Sequence, residues 1–478
     1  MNFRLVLKLV GRVTQLVSCS MLFPLLISLI WEEDPRPFLY SIVILLLIGT
    51  GLYFIPTNSS FYLREGFFAV GLIWIFMGLA GALPFFFSGC FPSFLDCAFE
   101  SFSGFSTTGV TVLTDIEALP QGILFWRSLT HWLGGMGVLV LATAVVPSMG
   151  IRSHYLTQAE SPGPVASKLV PKQAQSSRIL YRIYCALTAI EVVLLRLTGL
   201  PLYDCFIHAF STAGTGGFSN RNGNVGAYNN PAAEMVIAIF LLLFSLNFAI
   251  HFLILTRRFR QAFSSDELRF FLCLIFLVTA YTVWTVQPVY NNVWDCLRHS
   301  FFMVCSVIST TGFTISNYSA WPQAIQVCML LLMLIGGCAG STTGGLKCSR
   351  VLLAFRSAHR EISHILHPRA VKVVKLDGKV VGEGTLHSVL TYIACFFAIV
   401  FVSTLLIASD DFSFATCFSA ALTCVSNAGP GLELAGPTGN YSAFSPFVKV
   451  FLSLCMVVGR LEIFPVLVIL SPKTWRKI

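Results

Sequence analysis

The chain has 478 residues, 55% of them apolar and 11% charged, with a net charge of +9 and a mean hydropathy of +0.77. A soluble domain carries about 25% charged residues, so this composition excludes a water-soluble enzyme and a disordered chain alike. Apolar runs near 20 residues recur throughout, each long enough at about 1.5 Å per residue to cross a hydrocarbon layer of about 30 Å, and the sequence predicts an all-α integral membrane protein with a single membrane body.

Two leading spans are expected near 13–30 and 38–56, forming a helix pair within 1–62. Cys19, after Leu16-Val17-Ser18, resembles a lipoprotein cleavage box, but the apolar run continues to Trp31, as in a membrane helix. Four units of similar design follow at 63–152, 153–258, 259–350 and 385–478, with a basic cytoplasmic linker at 351–384 before the last. Each unit holds a full span, a half-length apolar segment ending in a Gly/Thr-rich string, and a second full span. First spans are expected near 67–87, 183–200, 270–288 and 386–408, and second spans near 123–148, 233–255, 323–346 and 445–470. The total is ten crossings and four re-entrant segments. A half-length segment of about 12 residues reaches only about 18 Å, so its tail returns as irregular backbone, which at membrane depth is tolerated only beside water or protein.

Charge orients the chain. The segments 1–12, 57–66, 151–182, 256–270, 346–384 and 471–478 hold 24 of the 31 lysines and arginines, and the opposite set, 31–37, 88–122, 200–234, 289–321 and 409–443, holds only Arg36, Arg221 and Arg298. Basic loops stay cytoplasmic, so both termini are expected inside, and the positive charge faces the inner membrane lipid surface and its cytoplasmic proteins, with no nucleic-acid partner. The 15 cysteines form no CxxC pair, so they are expected to be reduced packing residues, with no transition-metal site.

After each half-length segment comes a related string: Ser103-Gly104-Phe105-Ser106-Thr107-Thr108-Gly109, Ser211-Thr212-Ala213-Gly214-Thr215-Gly216-Gly217, Ser306-Val307-Ile308-Ser309-Thr310-Thr311-Gly312, and Thr423-Cys424-Val425-Ser426-Asn427-Ala428-Gly429. The shared template is Ser/Thr, two residues, Ser/Gly, Thr/Asn, any residue, Gly. A ring of inward-facing backbone carbonyls replaces the water shell of a monovalent cation. Glycine allows the backbone angles this needs, and the short helices aim their partly negative carboxyl ends at the same place. Close helix packing is the competing use of small residues, but packing motifs lie within full spans and do not follow half-spans.

This fourfold arrangement resembles the Trk/Ktr/HKT superfamily of potassium uptake proteins. The two leading spans, His131-Trp132-Leu133-Gly134-Gly135-Met136-Gly137, the Gly336–Gly345 string and Gly459-Arg460-Leu461-Glu462 are most similar to the bacterial TrkH type. The resemblance implies that Thr107, Thr108, Gly109, Thr215, Gly216, Gly217, Thr310, Thr311, Gly312, Asn427, Ala428 and Gly429 line a potassium filter. Asn427 in place of threonine, with Pro430 following, makes the fourth copy the least regular. Retention of Gly109, where sodium-transporting plant relatives have serine, favours potassium. The resemblance also implies a homodimer in the bacterial inner membrane, K+ as the transported ion, no organic cofactor, no catalysed chemistry, and a cytoplasmic nucleotide-binding regulatory subunit docked on the basic segments. A sodium- or proton-coupled symporter and a sodium-permeable transporter of the same superfamily are the alternatives.

Two further elements bear on conduction. Gly336, Gly337, Gly340, Gly344 and Gly345, interleaved with Ser341, Thr342 and Thr343, fall inside the second span of the third unit, where each glycine weakens a helix by about 1 kcal/mol relative to alanine. The helix is expected to break there, and the resemblance makes the break a gate loop. The near match of Gly340–Lys347 to a phosphate loop fails, because Leu346 separates Gly345 from Lys347 and no strand precedes it. Arg460 lies well inside the last span, where a guanidinium needs a partner or water, and the resemblance makes it a pore barrier. Glu462 is expected to pair with another span. Glu191, Arg196 and Lys449 are expected to snorkel, Asp96 and Asp204 to cap short helices, and His359, His364 and His367 to belong to a solvated basic linker.

Overall fold

Residues 3–56, 63–137, 173–369 and 372–470 are described in the computed structural model, and nearly all regular structure in them is helical. The expected continuation of the first unit's second span beyond 137, much of the basic 151–182 segment and the basic 471–478 segment lie outside the described residues.

The leading pair is α1 (Phe3–Ser20) with α2 (Leu22–Ile30), followed by α3 (Arg36–Tyr53). The helix begins at Phe3, ahead of the expected residue 13, and accommodates the charges on its first turns. The Lys8 ammonium and the Arg12 guanidinium lie 4.9 and 3.9 Å from the Tyr53 ring centre on α3. Leu5, Leu9, Val13 and Val17, spaced one helical turn apart, form the buried stripe of α1.

The first unit comprises α4 (Leu63–Ser88), the short α5 (Phe94–Ser106) and α6 (Gln121–Gly135). The second comprises α7 (Gln173–Leu197), the short α8 (Leu202–Gly214), α9 (Pro231–Ser245) and α10 (Phe248–Leu255), trailed by α11 (Phe259–Phe263). The third comprises α12 (Asp266–Val286), α13 (Val293–Ile308), α14 (Gln323–Ile335) and α15 (Cys348–Leu366). A hairpin of β1 (Lys375–Leu376) against β2 (Lys379–Val380) precedes α16 (Glu383–Ile407), α17 (Phe414–Ser426), α18 (Pro446–Arg460) and α19 (Phe464–Leu470). The short helices start on side-chain caps in three cases: Ser93 accepts from Asp96 N, Asn292 from Trp294 N and Ser413 from Thr416 N.

Among the described residues, five helices are long and apolar enough to cross a membrane, or six if α9 and α10 count as one bent span. That is fewer than ten uninterrupted spans. The helix α7 is long enough but carries Arg178, Arg182, Glu191 and Arg196. The second span of the third unit was the one expected to break, yet none of the four is a single straight helix in the described residues. The helix α6 ends at Gly135, and Gly137 follows with φ 72°. Between α9 and α10 the chain turns by 98°, and the Asn247 side chain caps the new helix by accepting from Ala249 N at 2.9 Å. Gly336 ends α14 with φ 70°, and Glu462 and Ile463 end α18 with φ 55° and 65°. The α9–α10 turn at Leu246 and Asn247, both with negative φ, and the stop at left-handed Glu462 and Ile463 need no glycine run, which is why only the Gly336–Gly345 break was conspicuous.

The short helices lie at the centre. In α17 every residue from Ser419 to Ser426 is buried, whereas α12 exposes Phe276, Leu277 and Trp284, and α16 exposes Phe401 and Leu405. The protein is therefore an all-α membrane protein whose long helices present apolar side chains outward around a ring of buried half-length helices.

Candidate functional site: convergence of four loops

Each central helix ends in the same way. At the end of α5, Thr107 N donates to Gly104 O at 3.1 Å and Thr108 N to Ser103 O at 2.9 Å, the paired bonds of a Schellman cap. The same pair recurs at Thr215 and Gly216 onto Thr212 and Ser211, and at Thr310 and Thr311 onto Val307 and Ser306. In the fourth copy Ala428 N donates to Thr423 O at 3.0 Å. The cap needs a left-handed residue, and Thr107, Thr215, Thr310 and Asn427 supply it with φ of 59°, 57°, 55° and 48°. Threonine is an outlier in this conformation because its branched Cβ crowds the backbone. Asparagine tolerates it, so the fourth copy keeps the geometry while changing the residue.

Beyond the caps the loops meet. A Cβ on Gly109 would lie 1.7 Å from Gly216 O, and one on Gly217 would lie 2.1 Å from Thr311 O. The same construction at Gly312 falls 2.3 Å from Gly429 Cα. The ring closes from the fourth loop to the first, where Asn427 Nδ2 donates to Thr108 Oγ1 at 3.0 Å. Gly109, Gly217 and Gly312 have φ of 80°, 84° and 84°, but Gly429 does not share the left-handed region. Pro430 explains the exception, since a residue before proline is pushed to extended angles. The template serines hold the bends: Ser103 Oγ donates to Val110 O and Ser306 Oγ to Phe313 O, each at 2.6 Å.

With their N–H groups turned back into the short helices, these segments leave carbonyls over. Among the described residues, none donates a hydrogen bond to the carbonyls of Thr107, Thr108, Gly109, Thr215, Gly216, Thr310, Thr311, Gly312, Asn427, Ala428 or Gly429. Buried backbone carbonyls are normally paired. Four helix carboxyl ends add partial negative charge at the same point, so the arrangement suits a cation stripped of water.

The 336–347 segment lies against this ring. Gly345 N donates to Ser426 O at 2.8 Å and Gly344 N to Thr310 Oγ1 at 2.8 Å, while Cys338 N donates to Ser245 O at 3.0 Å. Glu267 pins both ends of the segment by accepting from Ala339 N and Ser349 N at 2.7 and 2.9 Å. Arg460 bridges it to the first unit: Nη1 donates to Thr342 O at 2.7 Å and Nη2 to Gly134 O at 2.6 Å and to Gly135 O. Lys347, also buried, donates to Thr343 O and, at 3.2 Å, to Thr343 Oγ1.

Several expectations change. Lys449 does not snorkel; its ammonium is buried and bonds Asp96 at 2.7 Å, across 353 positions of chain. Glu191 is fully buried and does not reach an interface either. Ser93 is the cap of α5, with Asp96 as its partner (Ser93 Oγ to Asp96 Oδ2, 2.7 Å), and Asp204 accepts from Asn220 Nδ2 at 2.7 Å. Glu462 pairs with Arg350 on α15. The pairing of Arg127 with Glu100 and Ser219 was not legible in sequence, because partners 27 and 92 positions apart meet only through the fold.

A family model described as TrkH, cation transport protein, matches residues 36–477. The chain belongs to the TrkH family. Among TrkH-family relatives, the Trk system potassium uptake proteins TrkH of Salmonella typhimurium (strain LT2) and Escherichia coli (strain K12) are 37% and 36% identical to it over 489 and 490 residues, covering 100% of both chains in each case. The crystal structure of the potassium transporter TrkH from Vibrio parahaemolyticus matches with a TM-score of 0.89 and 31% identity, covering 100% of each chain. The loop ring therefore sits in a TrkH-family membrane fold along the whole chain.

Proposed function

We propose that the chain carries potassium ions across the bacterial inner membrane through the ring where its four loops meet, with the carbonyls of residues 107–109, 215–217, 310–312 and 427–429 replacing the hydration shell. The observation that carries this is that these carbonyls, all but Gly217 O, which accepts from Asn224 Nδ2 at 3.3 Å, have no donor among the described residues. Potassium is favoured by the names of the relatives. The same proposal takes the chain as two leading helices and four pseudo-repeats, ten crossings in all, with each broken second helix counted as one crossing.

The 336–347 segment with Arg460 is the gate in this proposal. Arg460 and Lys347 place positive charge where an ion leaving the ring would pass, and their bonds to Thr342 O and Thr343 O hold the segment in the path. The proposal takes both termini as cytoplasmic, a reading that the distribution of lysine and arginine supports. The basic stretch containing α15 and the hairpin is the proposed docking face for a cytoplasmic nucleotide-binding subunit, and a homodimer is the proposed assembly.

The test is flux in proteoliposomes. Rubidium and sodium uptake are measured for the unaltered chain and for Gly109→Ser, Gly217→Ser, Gly312→Ser and Gly429→Ser, under an imposed voltage without a sodium or proton gradient. Voltage-driven rubidium uptake and a lowered rubidium-to-sodium ratio in the variants are expected. An unchanged ratio in all four removes the ring as the selective element, and strict dependence on a second ion gradient replaces the pore with a coupled carrier.

A further inference from the structure

The four junctions around the ring are tied at their outer rim by different means. Loops two and three are joined by Gly226 N to Thr314 O at 3.1 Å, three and four by Tyr318 Oη to Gly431 O at 2.7 Å, and four and one by Tyr441 N to Thr111 O at 2.8 Å. Loops one and two are joined at the rim by Ile116 N to Asn222 Oδ1 and Asn222 Nδ2 to Asp115 Oδ1, both at 2.8 Å, and this junction also contains a buried ion pair, Arg127 Nε to Glu100 Oε1 at 2.7 Å, with side chains 1% and 0% exposed.

Both partners reach outward to the loops. The Glu100 carboxylate accepts from Thr111 Oγ1 at 2.9 Å and from Val112 N at 3.1 Å, in the tail of the first loop. Arg127 Nη1 donates to Ser219 O at 3.2 Å, in the second loop, and its guanidinium lies 3.8 Å from the Phe218 ring centre. Phe218 stacks on His131 at 4.1 Å, and His131 Nδ1 donates to Gly104 O at 2.7 Å. A Cβ on Gly216 would lie 2.3 Å from the His131 ring. An unbroken series of contacts thus runs from Glu100 to the backbone of the second loop.

The register shows that this junction is special. Glu100 stands seven positions before the left-handed residue of its loop; the same place in the other units is His208, Met303 and Ala420. His208 Nδ1 donates to Asp204 O, leaving Nε2 to accept from Ser219 Oγ at 3.2 Å, so Ser219 is held from two sides. Met303 and Ala420 are buried and apolar.

We propose that Glu100 and Arg127 are a positioning pair for ion discrimination: they fix the separation of the first two loops, and with it the carbonyl spacing that distinguishes potassium from sodium. Those ions differ in radius by a fraction of an ångström, so a compliant junction accommodates both, while a fixed one favours the ion that fits. A buried ion pair adds little net stability compared with apolar side chains of equal volume, and its contribution here is geometric. The proposal rests on the ring being the selective element.

The test uses the full chain in proteoliposomes, reading the rubidium-to-sodium uptake ratio, which does not depend on how much protein is active. Glu100→Gln and Arg127→Gln are expected to lower the ratio by about tenfold, the size of one lost charge-assisted hydrogen bond. Arg127→Lys keeps the charge but loses the fork that spans Glu100 and Ser219, and an intermediate ratio is expected. Thr111→Val removes the hydroxyl that Glu100 and Leu113 N share but leaves the ion pair and the Val112 N bond in place, and it is expected to give the smallest fall. Gly109→Ser is measured in parallel. If Gly109→Ser lowers the ratio and the pair variants, Thr111→Val included, leave it unchanged, the positioning role is overturned and the ring stands. If Gly109→Ser and the serine variants of Gly217, Gly312 and Gly429 leave it unchanged as well, the ring itself falls.

Discussion

The tetrapeptide Ser-Thr-Thr-Gly occurs three times in this chain, at 106–109, 309–312 and 341–344. In all three the serine hydroxyl meets the second threonine hydroxyl, at 2.7, 2.8 and 2.7 Å. The surroundings divide them. In the first two the leading threonine caps a short helix in the left-handed conformation, and the carbonyls take no donor among the described residues. In the third, Thr342 is not left-handed, and the carbonyls of Thr342 and Thr343 are taken by Arg460 and Lys347. One set of residues thus either leaves its carbonyls without a donor among the described residues or binds cations tethered to the chain itself. The short helix before it, and not the local sequence, decides which.

Removing the tethered cations breaks this contrast most strongly. Arg460→Ala deletes the contacts to Thr342, Gly134 and Gly135 together, and rubidium flux is expected to rise by about tenfold, equivalent to about 1.4 kcal/mol off the barrier. Lys347→Met removes contacts to Thr343 alone, so the same assay is expected to show a rise of about threefold. A fall in flux with unchanged protein yield in either variant would mean that the cations help conduction.

A finer comparison uses the serines. Ser309→Ala and Ser341→Ala each lose one buried hydroxyl and its two bonds, worth about 1 kcal/mol per bond in thermal unfolding of the purified protein. Only Ser309→Ala is expected to lower the rubidium-to-sodium ratio. Equal effects on the ratio would erase the distinction between the two layers.

Much of this was legible in sequence because it depends on local chemistry. The spacing of Thr107, Thr215, Thr310 and Asn427 after half-length apolar segments marked the four caps, and five glycines between Gly336 and Gly345 marked one break. The breaks at Leu246–Asn247 and at Glu462–Ile463 carry no such composition, since left-handed Glu462 and Ile463 are imposed by packing against local preference. The pairs Lys449–Asp96, Arg127–Glu100 and Arg350–Glu462 each join distant segments. A charge within an apolar run announces the need for a partner, and only the assembled fold names it.

The most direct measurement is anomalous scattering from crystals grown in thallium or rubidium, read for the unaltered protein and for Gly109→Ser. The account predicts anomalous peaks between the carbonyls of Thr107–Gly109, Thr215–Gly216, Thr310–Gly312 and Asn427–Gly429, diminished in the variant. Peaks confined to other parts of the molecule, with none at the meeting point of these loops, would contradict it.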